Sequence, residues 1–254
     1  WILSGSYLEY LLASTGGMFG ETDPLFGHDV GFYVFLLPAI QITLTALTWL
    51  AIAGSLAALI GRYDQLRSTG IFDSHVRPPW AKLGMMITNG LNVCLLVLGS
   101  SLIVRTFLRR YGLLFADNEA SGVRAGAEFL DVQGAFSTLN LIYVSTVVEL
   151  GVMAAVGYGL YQIGRASVGA QSAGNAVGPA AVRPPRLRVP ATLVLALFAL
   201  ELVFYVAVVV RDHIFVAPNE PTIQLPYIQR HMDATLRGYR LERIRTVPWT
   251  LPQQ

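Results

Sequence analysis

Four runs of about twenty apolar residues constrain this chain more than anything else in it. A hydrocarbon core about 30 Å thick needs about 20 residues of helix to cross it. Runs of that length fall at roughly Phe32–Ile60, Leu83–Val104, Leu139–Ile163 and Ala191–Val210; they are called helices A to D here. Composition agrees, since 54% of the 254 residues are hydrophobic and 13% are charged, against about 25% charged in soluble domains. Mean hydropathy is +0.52. The expected fold class is all-α, a polytopic helical membrane protein. Residues 1–31 form an outer N-terminal segment, 32–210 the bundle, and 211–254 an outer amphipathic helix and tail. A net charge of +2 argues against nucleic acid as a partner. The single cysteine, Cys94, excludes an internal disulfide. The chain begins at Trp1 without Met or a signal-peptide pattern, so further spans on a longer polypeptide are expected. Ile2 to Leu12 fits the tail of one.

Loop charges indicate orientation. The segment up to Gly31 has four acids and no Lys or Arg. The A–B loop carries Arg62, Arg67, Arg77 and Lys82, and the C–D loop Arg165, Arg183, Arg186 and Arg188. Positive charge marks the cytoplasmic side, so these two loops are expected inside and both ends of the chain outside. The outer B–C loop has Arg105, Arg109, Arg110 and Arg124 and opposes this bias. The Gly-, Ala- and Pro-rich stretch from Arg165 to Pro190 reads as a flexible, solvated linker.

Glu21 to Gln41, "ETDPLFGHDVGFYVFLLPAIQ", reads as a membrane-entry segment. Asp23-Pro24 signals a turn and Asp29 suits an N-cap. Phe26, Phe32, Tyr33 and Phe35 suit the headgroup level, where aromatic rings concentrate. Pro38 is tolerated near a helix start.

Glu149 and Glu201 fall near the middle of helices C and D. An ionisable residue at that depth costs about 2.5 kcal/mol or more and is a functional candidate by default. Tyr205 lies one turn from Glu201. Helix A carries Gln41, Thr45, Thr48 and Ser55 on one face, and helix B carries Thr88, Asn89, Asn92 and Gly99. Gly151, Ala155 and Gly159 form a small-residue stripe on helix C, turned away from Glu149. One face would meet helices of the same chain and the other would need further polypeptide. Interhelical hydrogen bonding is the plainer role for the polar groups; a proton or ion path is the sharper one.

Three blocks resemble a family. They are "DPLFGHDVGFYVFLLP" (Asp23 to Pro38), "RRYGLLFADNEASGVRAGAEFLDVQ" (Arg109 to Gln133) and "VAPNEPTIQLPYIQRHMDATLRGYRL" (Val216 to Leu241). In order and separation they are similar to uncharacterised protein family 0182, a bacterial group. The resemblance implies a multi-span plasma-membrane protein of about seven spans with a large extracytoplasmic domain, of which this chain matches the latter half of the membrane region. It implies no enzyme activity. The chain departs from the family at Gln224-Leu225, where a charged pair is usual, at His231, and at Phe129-Leu130-Asp131.

No metal or cofactor is expected. His28, His75, His213 and His231 share no ligand spacing, and no G-x-S-x-G or Walker A sequence occurs. No catalytic residue is nominated, and "PNE" (Pro218 to Glu220) reads as a turn. Leu225 to Leu241 reads as an amphipathic helix starting at Pro226, with Tyr227, Ile228, Met232, Leu236 and Tyr239 in an apolar line. The expected partners are the bilayer and other membrane subunits. A structural or accessory subunit is the first functional expectation, a transport component the second, and an enzyme with its active site in an outer domain the third.

Overall fold

The computed structural model describes residues 6–70, 79–87, 89–116, 126–172 and 187–241. Residues 71–78 with His75 and Arg77, Thr88, residues 117–125 of the second block, most of the C–D linker (173–186) and residues 242–254 lie outside them. Among the described residues the chain is helical and has no strand; one isolated bridge pairs Thr22 with Asp29. The helices are α1 (Tyr7–Thr15), α2 (Leu37–Ser68), α3 (Pro79–Met86), α4 (Asn89–Leu108), α5 (Phe129–Val132), α6 (Thr138–Ser172), α7 (Arg188–Arg211) and α8 (Glu220–Gly238). A π-turn, Phe32–Leu36, leads into α2, and a 3-10 turn, Arg109–Phe115, follows α4.

Four helical stretches are long and apolar enough to cross a membrane: Phe32–Ser68, Gly90–Phe115, Thr138–Ser167 and Arg188–Asn219. They match helices A to D and shift their limits. Helix B is divided, because residues 79–86 form the separate α3. Gly84 accounts for its seat: a Cβ there would lie 2.7 Å from the Cβ of Ser167 and 3.0 Å from the carbonyl of Ile163. Only a glycine lets α3 approach α6 that closely. At the head of α6, Ser137 is fully buried and its Oγ accepts the Asn140 amide at 3.2 Å, as an N-cap does. The outer helix begins at Glu220 rather than at Leu225. Pro221 occupies its first turn, where proline costs no hydrogen bond, and Pro226, expected at the start, sits inside it.

The chain divides into two compact units, Trp1–Phe107 with Ser145–Leu200, and Leu108–Val144 with Glu201–Gln254. In the first, α2 packs on α4, α4 on α6 and α6 on α7. Thr48 and Ser101 share a buried hydrogen bond of 3.0 Å between α2 and α4. A Cβ on Gly99 would meet Met153 Sδ at 2.7 Å, and one on Gly151 would meet Leu197 at 2.8 Å. Glycine thus sets the spacing of α4 and of α7 against α6. Where lipid tails are as apolar as leucine, such close packing is the main source of helix association.

In the second unit Tyr111, Leu113, Val216 and Tyr227 are buried. Phe136 packs against Phe204 with ring centroids 5.3 Å apart.

Candidate functional site

The mid-span acids come first. On α6, Glu149 is half-buried, and Thr106 of α4 donates to its Oε1 at 2.7 Å. Its Oε2 is buried without a hydrogen-bond partner among the described residues. Thr106 itself is buried. It was not singled out from the sequence, because its pairing with Glu149 depends on the rotation of two helices. Glu201, half-buried, belongs to the second unit, with Tyr205 54% exposed one turn on.

The polar line of helix A divides. Gln41 is exposed, Thr45 accepts from Arg105 Nη2 at 3.2 Å, and Thr48 and Ser55 are buried. Thr48 is the member of that line bonded to Ser101. On α4, Asn92 is half-buried, and its Oδ1 is buried without a hydrogen-bond partner among the described residues.

The small-residue stripe has its cover within the chain. Gly151 receives Leu197, and Gly159 lies against Pro190 and Leu187 at 3.8 to 4.0 Å from an added Cβ. Ala155 is buried between them. The Glu149 side of α6 meets α4. Both faces therefore pack inside the chain: the face expected to need further polypeptide meets α7 instead.

The entry segment is a closed knot. Asp23 Oδ1 accepts the amides of Leu25 and Phe26 at 2.8 and 2.7 Å, and Oδ2 accepts the His28 amide at 3.0 Å and the Tyr33 hydroxyl at 2.5 Å. Asp29 accepts the amides of Phe19, Gly20 and Gly31 at 3.0, 2.8 and 2.7 Å. Gly20 and Gly27 take positive φ of 76° and 71°, which glycine permits without strain. Burial opposes the charge of Asp23. The hydrogen bonds from Tyr33 and from Phe26, Leu25 and His28 outweigh it and hold this carboxyl below its ordinary range. The Phe19 and Gly31 amides, with that of Gly20, do the same for Asp29 against a smaller burial effect.

The four entry-segment rings do not share one role. Tyr33 is buried and spends its hydroxyl on Asp23. Phe35 stacks on Phe19 at 5.7 Å, and Phe32 lies 4.7 Å from the His28 ring. Phe26 is half-buried.

The second unit joins the second and third blocks. Gln224, 1% exposed, donates to Glu128 Oε2 at 2.9 Å and accepts the Phe129 amide at 3.2 Å. Tyr227 meets the Phe129 ring edge to face at 6.4 Å. Arg211 lies over the same Phe129 ring at 5.1 Å and donates to the carbonyls of Gln133 and Phe136 at 2.5 and 2.8 Å. Gly126, at φ 128°, leaves no room for a Cβ beside the His231 ring. The sequence signal for this network is that Phe129, Gln224 and His231 depart from the resembled family.

An all-α chain with four helices long and apolar enough to cross a membrane defines a polytopic helical membrane protein. No solved structure matches it. The chain belongs to the uncharacterised protein family UPF0182, whose family model matches residues 1–254. It is 27% identical over 251 residues to a UPF0182 protein of Geobacter sp. (strain M21), covering 95% of this chain and 23% of the relative. It is 30% identical over 237 residues to one of Pelobacter propionicus, covering 91% and 22%. With one of Bradyrhizobium diazoefficiens the figures are 29% over 255 residues, 98% and 23%. The chain thus spans less than a quarter of the length of these curated relatives.

Proposed function

We propose that this chain is a structural or accessory part of a larger assembly in the bacterial inner membrane, with its arginine-rich loops inside and its ends outside. The observation that carries this is the exposed surface of α7. The span containing it has mean hydropathy 2.8 and only 6% of its most apolar window is buried, against 22% for the span containing α2. On that helix Glu201 stays partly exposed at mid-span and Tyr205 is 54% exposed. Lipid is a poor neighbour for the exposed part of a mid-span acid, whereas a partner helix covers it by close packing. The polar pairs Thr48–Ser101 and Thr106–Glu149 support the same role, since they act as ties between helices.

The experiment is photocrosslinking from position 205 in native membranes. Crosslinks to another transmembrane polypeptide, or to a distant segment of the same one, are expected. Crosslinks to lipid alone, with a lone monomer in mild detergent, would refute the proposal.

A second function has one observation in its favour. Glu149 Oε2 is buried and has no hydrogen-bond partner among the described residues, as a group awaiting a proton or ion would be. Reconstituted vesicles would then carry a proton or cation flux that Glu149→Gln abolishes. An unchanged flux in the variant, or none in either protein, rejects it.

A further inference from the structure

In the first unit, α2, α3, α4 and α6 enclose a cavity of about 790 Å³ that none of the features above uses. Ligand sites commonly occupy about 300–1,000 Å³. Leu95, Leu96, Met153 and Leu160 give it an apolar wall. Arg62 and Arg165 also line it, and no acidic residue does among the described residues. Arg62 is held in place: its Nε donates to the Met85 carbonyl at 2.9 Å and its Nη1 to Gln65 Oε1 at 2.5 Å. Arg165 is exposed and has no hydrogen-bond or ion-pair partner among the described residues. Asn92, on the same wall, offers its buried Oδ1, which has no hydrogen-bond partner among the described residues. It stands in the first turn of α4, where backbone amides lack intrahelical acceptors and the helix dipole favours negative charge.

Two guanidinium groups without a lining counter-charge call for an anion. A buried acceptor calls for a donor, and an apolar wall calls for a hydrocarbon chain. One molecule supplies all three. We propose that this cavity binds an anionic phospholipid whose headgroup carries a hydroxyl. The phosphate lies between Arg62 and Arg165, the hydroxyl donates to Asn92 Oδ1, and an acyl chain runs along Leu95, Leu96 and Leu160. Basic pockets between spans are an established form of headgroup site. The apolar wall separates this ligand from a soluble phosphate, which would leave it wet.

The test is native mass spectrometry of the protein in mild detergent, titrated with phosphatidylglycerol, phosphatidylcholine, phosphatidic acid and glycerol 1-phosphate. Phosphatidylglycerol is expected to bind most tightly. Arg165→Gln should weaken it about fivefold, the value of one basic residue at an anionic lipid, and Arg165→Lys should restore most of that loss. Arg165 supports no other described contact, so an unchanged Tm is expected in both variants. Asn92→Leu should remove the preference for phosphatidylglycerol over phosphatidic acid. Equal binding of phosphatidylcholine, or full binding by Arg165→Gln, overturns the proposal. Glycerol 1-phosphate competing as well as the lipid would show a soluble phosphate ester as the ligand and overturn it too.

Discussion

The entry segment and the last helix are both closed by side-chain hydrogen bonds, but over very different lengths of chain. Asp23 and Asp29 reach groups no more than ten residues away. Gln224 reaches Glu128 and Phe129 across 96 and 95 residues, and Arg211 reaches Gln133 and Phe136 across 78 and 75. Loop closure costs about 0.6 kcal/mol more for each doubling of loop length. Passing from ten residues to 96 is just over three doublings, about 2 kcal/mol. The second network offsets this with burial and rings: Gln224 is almost fully buried, and Phe129 lies between Tyr227 and Arg211. The first needs only two carboxylates and two glycines of positive φ. The difference teaches that a charged acceptor suffices for a short closure, while a distant one also needs packing.

The largest expected effect breaks the distant network. Gln224→Ala removes the donor to Glu128 and the acceptor for the Phe129 amide, at about 3 kcal/mol for two buried groups. Hydrogen exchange at Phe129 and along α8 should then speed up by about 100-fold, with exchange in α2 unchanged. Equal protection in variant and parent would mean that ring packing alone holds α8.

Asp23→Ala should cost less, about 2 kcal/mol. It deletes four hydrogen bonds, but the group is only partly buried and solvent replaces some of them. The readout is faster exchange at the amides of Leu25, Phe26 and His28. Faster exchange in α8 as well would show that the two closures are not independent.

The pH response sharpens the contrast further. Both acids of the knot have folded pKa values below their ordinary ones. Their contribution is therefore fully present above the ordinary carboxylate pKa of about 3.9. It is lost as pH falls from there through the depressed folded values. Acid titration should release the amides bonded to Asp23 and Asp29 in that window, and Asp23→Asn should remove the dependence at Leu25, Phe26 and His28 while leaving that at Phe19, Gly20 and Gly31. Release beginning near neutral pH would contradict this.

The smallest effect is expected inside the bundle. Glu149→Gln keeps an oxygen for Thr106, so thermal stability should change by no more than about 0.6 kcal/mol, the average value of one intramembrane hydrogen bond. Thr106→Val should cost a similar amount. A loss several times larger would show that the carboxylate holds more than one helix contact.

The four apolar spans and the turn at Asp23-Pro24 are legible in the residues alone. Four spans follow from apolar runs, because crossing a bilayer depends on the local sum of side-chain transfer energies and on internally satisfied backbone. Asp23-Pro24 signalled a turn and Asp29 a cap, because both signals are local; the bonds from Phe19 and Tyr33, ten residues away, were not legible. The stripe of Gly151, Ala155 and Gly159 announced a packing face. Tertiary structure alone decided what these features meet: Thr106 for Glu149, Leu197 for Gly151, Glu128 for Gln224, and the pairing of Arg62 with Arg165 around a cavity. It also started α8 at Glu220, where Pro226 had suggested a later beginning. Each of these depends on the rotation and offset of helices tens of residues apart. Those are set by summed packing over whole faces, which no single residue spacing records.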